Sequence, residues 1–384
     1  MAQSTTVLMQ IQKLVPDELF DKLATKYHVD KYASVFTAST HFAVLMFAQL
    51  AGLKSTRDIQ HATASLFSMA PLVNVKKSTL AEANKRINWR FYYELFQTLF
   101  ALFSDRFSKH DYPVPGKLLS LDSTLIPVCL ERLPWAKYRT TKGALKLHTL
   151  LDHDGLVPQD IVVTNGKVSD IRAARTIPIT SGTTYLVDRG YFDSAWFARM
   201  NRNHAFFVTR MKSNVGFEWT EKRKVEAGTG VRGDWIGHFD GTPEEHYPDP
   251  LRLVYFIDPE TKKELWFLTN LLDVEALTIA RLYKQRWQIE LFFKWIKQNL
   301  KIKSFLGTSE NAVMSQIWVA MIVFLLLRVL QQDAGEAIST HQLLVFISTH
   351  LLSWIPVTKA WQDFQRTSSI GIQKRKQKTR TLLN

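Results

Sequence analysis

The chain has 384 residues, 46% of them apolar, and carries 49 Lys and Arg against 35 Asp and Glu, a net charge of +14. That length predicts two or three domains, the apolar share excludes a largely disordered chain, and a pI near 9.7 points to a polyanionic partner, nucleic acid ahead of an anionic membrane. A lone cysteine, Cys129, excludes an internal disulfide and a Cys-based zinc site, and fits a reducing compartment.

The first twenty residues lack the basic segment and apolar block of a signal peptide. Apolar positions then recur at helical spacing in FDKLATKY, HFAVLMFAQLAGL and FYYELFQTLFALF, so residues 1–110 are expected to form an all-helical domain. In VKKSTLAEANKRINWR, Thr79 with Glu82 reads as a capping box, with Ser78 as the alternative N-cap. The helix that follows would carry Lys85, Arg86 and Arg90, with Lys76 and Lys77 before its start. Such a positive helix entry suits phosphate contact; a solvated helix face explains it equally well.

DYPVPGK, residues 111–117, marks a linker. Strand-like runs follow: LLSLDSTLIPV, then KLHTLLDHDGLVPQDIVVTNG with a hairpin turn at Asp154-Gly155, then TTYLVDRGY. Helices are expected near SDIRAARTI, with Ser169 or Asp170 as N-cap, and in FDSAWFARMNRN, before a strand HAFFVTRM. These elements, 117–211, predict a mixed α/β sheet. Residues 212–272 read as all-β: WIGHFD, RLVYFID and ELWFLTN between turn residues. A helix over 273–310 and further helices over 311–365 complete the chain. IWVAMIVFLLL, residues 317–327, is too short to span a bilayer and reads as a core helix. Residues 366–384 form a basic tail suited to holding phosphates.

Three carboxylates stand out. Asp122 interrupts an apolar strand, where Asp is disfavoured and costly to bury unpaired. Asp188 ends another such strand, where it could equally cap the following turn. Glu290 lies in RLYKQRWQIELFFKWIKQ, residues 281–298. On one straight helix, Tyr283, Arg286, Glu290 and Lys297 would form a single polar stripe. The plain alternative is a partly buried helix with i, i+4 pairs such as Glu290–Lys294. If the two strands are neighbours, the three carboxylates could form a cluster. Such a cluster repels itself unless cations hold it, and hard oxygen ligands suit Mg²⁺ or Mn²⁺.

This pattern resembles a DDE transposase with an RNase H-like fold. The spacing of Tyr283, Arg286, Glu290 and Lys297 matches the Y-R-E-K signature of the IS4 family of insertion-sequence transposases, and VDRGY at 187–191 resembles that family's second-Asp motif. KSTRDI at 54–59 and STLAEAN at 78–84 resemble the helical domain that precedes the core in one branch. The resemblance implies an α/β, RNase H-like mixed-sheet core with an all-β insertion at 212–272, preceded by an all-helical domain and followed by helices. It implies cut-and-paste transposition, with Asp122, Asp188 and Glu290 as catalytic metal ligands for two Mg²⁺ ions that Mn²⁺ can replace. Tyr283, Arg286 and Lys297 would contact DNA near the cleaved end, with Arg189, Lys85 and Arg86 as further DNA contacts. The implied partners are double-stranded DNA, as inverted-repeat ends and target, and a second copy on paired ends. The implied location is the prokaryotic cytoplasm, at the nucleoid.

Some relatives of this kind stack an insertion Trp on a flipped base; Trp235 and Trp266 are candidates by location, and a core role fits either. His148 and His153 read as structural, and Asp160 and Asp170 as supporting or capping groups. The sequence lacks HExxH, GxxxxGK[ST] and GxSxG, so no nucleotide cofactor is expected, and without a strongly amphipathic basic helix no membrane partner is expected. An RNase H-like nuclease that cuts without joining is a second reading. A DNA-binding derivative without chemistry is a third, which the three intact carboxylates oppose.

Overall fold

The computed structural model describes residues 5–33, 35–65, 74–140, 142–241, 243, 246–302, 304–334, 339–357 and 361–362. The basic tail expected over 366–384 lies outside the described residues. The chain divides into two compact units, one of residues 1–107 with 295–384, the other of 108–294.

The first unit is helical: α1 (Val7–Gln12), α2 (Asp17–Lys26), α3 (Ala38–Leu50), α4 (Thr56–Ser65), α5 (Lys77–Arg86) and α6 (Trp89–Phe103). Two later helices join them, α11 (Glu310–Asp333) and α12 (Thr340–His350). Helix α11 is the expected core helix. Its length and composition would let it cross a membrane, but 94% of its most apolar window is buried within the protein. Trp318 packs edge-on against Tyr93, with ring centroids 4.8 Å apart, and tilted against Phe96 at 5.3 Å. At its N-terminal end, the Asn311 amide donates to the carbonyls of Asn84 and Ile87 and its oxygen accepts the Trp89 N–H. One side chain thus fixes the α5–α6 corner.

Two expectations for α5 change. The helix starts at Lys77, with Lys76 as N-cap, and neither Ser78 nor Thr79 caps it. The side-chain oxygen of Gln60, from α4, accepts the Lys77 N–H at 3.1 Å and does the capping from outside. Arg90 belongs to the next helix, α6.

The second unit carries a ten-stranded sheet in the order β2-β3-β1-β5-β6-β10-β9-β8-β7, with β4 also paired to β3. The first strands are β1 (Leu118–Val128), β2 (Lys137–Arg139), β3 (Lys142–Asp152) and β4 (Val157–Asn165). The β3–β4 hairpin turns at Asp154-Gly155 as expected, with Gly155 at φ 74°. Helix α7 (Asp170–Ala174) leads to β5 (Thr184–Val187), and α8 (Ser194–Arg202) to β6 (Phe206–Arg210). β1, β5 and β6 pair in parallel, the arrangement that buries apolar strands on both faces.

The all-β segment contributes β7 (Phe217–Lys222), β8 (Val231–Phe239), β9 (Leu251–Ile257) and β10 (Glu264–Thr269). β7 escaped the sequence reading because FEWTEK is mostly exposed and lacks a clean apolar alternation. These strands do not form a sheet of their own. β10 pairs antiparallel with β6 and so extends the core sheet. A buried ion pair anchors them: Asp234 and Arg252, both side chains 3% exposed, form two 2.8 Å hydrogen bonds. The remaining Arg252 nitrogen donates to the carbonyls of Leu271, Leu272 and Val274, the loop that enters α9 (Ala276–Gln285).

Residues 281–298 are not one helix. The chain breaks at Arg286, between α9 and α10 (Trp287–Asn299). The Arg286 N–H bonds Tyr283 O at 3.1 Å and the Ile289 N–H bonds Arg286 O at 3.2 Å, both three residues apart, so the junction is a tight 3₁₀-type turn.

Two buried polar groups generate measurable consequences. Replacing Arg252 by Met strands the Asp234 carboxylate and should cost about 3–5 kcal/mol; Arg252→Met with Asp234→Leu should recover most of it, and equal losses in denaturant melts would contradict the pairing. His41 is wholly buried between Tyr92 Oη (2.7 Å) and Asn84 Oδ1 (2.9 Å), and burial lowers its pKa to about 4. A ring whose folded pKa is depressed contributes its full stability above the unfolded value and loses it as pH falls towards 4. An NMR titration should find the His41 imidazole neutral at pH 5.5; a midpoint near 6.5 would overturn this.

Candidate active site

The register of two parallel strands sets the two aspartates side by side. Leu121 on β1 aligns with Val187 on β5, so the next residue on each, Asp122 and Asp188, stands at the same level. On the far side of β5, Leu186 aligns with Val208 of β6. Two residues further, Arg210 stands level with Asp188, and its Nη2 reaches Asp188 Oδ1 at 3.2 Å.

The helix break supplies the other side of the site. Tyr283, near the end of α9, donates its hydroxyl to Asp188 Oδ1 at 3.1 Å. Arg286, at the corner, donates through Nη1 to Asp122 Oδ2 at 2.9 Å and through Nη2 to Glu290 Oε1 at 2.7 Å. Its side chain is only 12% exposed. Glu290 sits in the first turn of α10. The guanidiniums of Arg210 and Arg286 both lie over the Tyr283 ring, 5.9 and 5.7 Å from its centroid.

The electrostatics follow from this crowding. Burial pushes the Asp122 carboxyl up to about 6, and the charges of Asp188 and Glu290 add to that push against the pull of the Ser123 N–H and Arg286. Burial pushes Asp188 in the same direction, but the Arg189 N–H and the charges of Arg286 and Arg210 outweigh it and hold Asp188 below the usual carboxylate range.

The structure therefore joins Asp122, Asp188, Glu290, Tyr283 and Arg286 in one network. It departs from the sequence reading in three respects. The polar stripe is interrupted by a one-residue 3₁₀-type junction at Arg286 instead of running along one continuous helix. Glu290 pairs with Arg286, four residues before it, and not with Lys294. Asp188 makes no side-chain capping bond to the turn that follows it. Lys297 lies on α10 about two turns beyond Glu290.

The remaining expected DNA contacts are scattered. Arg189 is exposed on the turn after Asp188. Lys85 is exposed and pairs with Glu82. Arg86 spends its guanidinium inside the helical unit, on the carbonyls of Val29 and Phe36 and on Asp30, which leaves little of it for a phosphate. Trp266, 40% exposed, stacks on Tyr255 with centroids 4.4 Å apart and on Trp235 at 5.7 Å.

Sequence reasoning missed Arg210. A cation ending the apolar run FFVTR was the available signal, but its meaning depended on the β5–β6 register. Asp170 proves to be a supporting group: it accepts the Ser123 hydroxyl at 2.6 Å and pairs with Lys146 at 2.8 Å. His148 and His153 bond Thr164 and Ser120 and are structural.

Three carboxylates offer the hard oxygen donors that a divalent cation of the Mg²⁺ type prefers, and burial, with the charges of Asp188 and Glu290, keeps the Asp122 carboxyl raised despite Arg286. The donor chemistry fits such an ion. In the present arrangement Arg286 holds two of the three carboxylates, and among the described residues no three acidic, His or Cys groups converge closely enough to hold a metal.

Comparison with known proteins agrees with this chemistry. The family model described as "Transposase DDE domain" matches residues 114–326, more than half of the chain. A second model, described only as a domain of unknown function, matches residues 3–66. The "Probable transposase for insertion sequence element IS5377" of Geobacillus stearothermophilus is 30% identical over 354 residues, covering 91% of this chain and 90% of that protein. A Sinorhizobium fredii protein named as a transposase is 38% identical over 256 residues, 65% of this chain and 70% of its own length. A Synechocystis protein named for insertion sequence element IS4SA is 27% identical over 297 residues, 72% of this chain and 80% of its own length. The match over the catalytic core and the near full-length relative together place the chain in the DDE transposase family of insertion-sequence elements, in its IS4-like branch.

Proposed function

We propose that Asp122, Asp188 and Glu290 hold the divalent metal on which this transposase depends, Mg²⁺ with Mn²⁺ as substitute, and use it for cut-and-paste movement of an insertion sequence. The observation that carries this reading is the hydrogen-bond network that ties the carboxylates of Asp122 on β1, Asp188 just after β5 and Glu290 on α10 to Arg210, Arg286 and Tyr283. When bound, a divalent pair would activate the attacking oxygen and steady the leaving 3′ oxygen of a phosphodiester.

The chain's own groups do the rest. Tyr283 and Arg210 fix one oxygen of Asp188. Arg286 carries a guanidinium suited to bidentate phosphate binding. Lys297, Arg189 and Lys85 add point charges for the backbone of the insertion-sequence end and of the target duplex. The net charge of +14 supplies the long-range attraction for DNA. Joining two ends to one target requires two active sites, so the working form is a homodimer on paired ends, acting at the nucleoid of a prokaryotic cell.

Substituting Glu290 by Gln removes one anionic ligand while keeping size and hydrogen bonding. Gel-shift binding of a duplex bearing the element's own ends should persist, and cleavage of that duplex should fall by at least about a thousandfold. Normal cleavage by Glu290→Gln would remove Glu290 from the catalytic set.

A further inference from the structure

Arg286 sits where the family's chemistry places positive charge of another kind. Its two terminal nitrogens take Asp122 Oδ2 at 2.9 Å and Glu290 Oε1 at 2.7 Å. The side chain is nearly buried, and the tight turn between α9 and α10 fixes its backbone. A guanidinium supplies what Asp122 and Glu290 need in the absence of metal: one positive charge and donors for both carboxylates. It also keeps two of the three ligand carboxylates engaged, and the described residues hold no ready-made metal cluster.

From this we infer that Arg286 is an internal counter-cation which competes with the divalent metal for Asp122 and Glu290, and that DNA opens the metal site by drawing the guanidinium onto a phosphate. The inference rests on the carboxylates being the metal ligands. It adds that metal affinity is held low in the DNA-free protein and rises on the DNA end. A phosphate suits the guanidinium because its oxygens match the same planar fork that now spans two carboxylates. The neighbouring cation, Arg210, is engaged elsewhere, on Asp188, so it does not replace Arg286 between Asp122 and Glu290. Coupling of this kind is reciprocal: metal must then tighten DNA binding by the factor by which DNA tightens metal binding. Its consequence is an enzyme that assembles its cutting centre on its own ends.

The test is a Mn²⁺ titration read by the EPR signal of the free ion, on the full chain, with and without a duplex carrying the element's own ends. The proteins are wild type, Arg286→Lys, Arg286→Gln and Asp188→Asn. Without DNA, Arg286→Gln should bind Mn²⁺ at least about tenfold more tightly than wild type, a difference of about 1.4 kcal/mol. Arg286→Lys, which keeps the charge but cannot span both carboxylates, should fall between them and guards against a Gln variant that fails to fold. The duplex should tighten Mn²⁺ binding more in wild type than in Arg286→Gln. Equal affinities in wild type and Arg286→Gln, or a Lys variant as weak as wild type, would overturn the competition. Mn²⁺ binding that is unchanged in Asp188→Asn would instead sink the carboxylate site itself, and with it the reading on which this inference stands.

Discussion

Two aspartates at the same level of adjacent parallel strands repel each other, and a glutamate brought against them by a helix makes the repulsion worse. In a partly buried site such like charges raise one another's pKa, as Asp188 and Glu290 do for Asp122. The fold meets this cost with Arg286, Arg210 and the hydroxyl of Tyr283, each aimed at a particular carboxylate oxygen. The Asp122 carboxyl stays raised nonetheless, chiefly through its burial. Charge balance, more than any single contact, explains why these residue types stand together.

The rest of the unit serves to hold that balance in place. The apolar β1–β5–β6 strands set the level of Asp122, Asp188 and Arg210 by backbone register alone. The 3₁₀-type junction at Arg286 ends the helix that carries Tyr283 and lets the helix that carries Glu290 begin. The strands β7–β10 extend the same sheet, and Arg252 ties their centre to the loop entering α9. The segment that looks in sequence like an interruption therefore braces the entry to α9, the helix that carries Tyr283.

Much of this was legible from residue types. An aspartate inside LLSLDSTLIPV contradicts its apolar surroundings and another closing TTYLVD could equally have been a cap, so residue types singled them out as candidates and the family resemblance set them beside Glu290. What escaped depended on partners distant in sequence. The start of α5 is decided by Gln60, and a local capping box could not reveal that. The break at Arg286 leaves helical periodicity nearly intact on both sides, so RLYKQRWQIELFFKWIKQ reads as one helix. Arg210 has no meaning until β6 is known to lie beside β5. Local chemistry was readable; register and helix corners were not.

The most direct test of the account is strand cleavage of a DNA fragment carrying the element's own flanking ends, with Mg²⁺, with Mn²⁺ and with EDTA, beside Asp188→Asn. Cuts at the element boundary that require the metal and vanish in Asp188→Asn are the predicted result. Cleavage that survives EDTA or Asp188→Asn would contradict it.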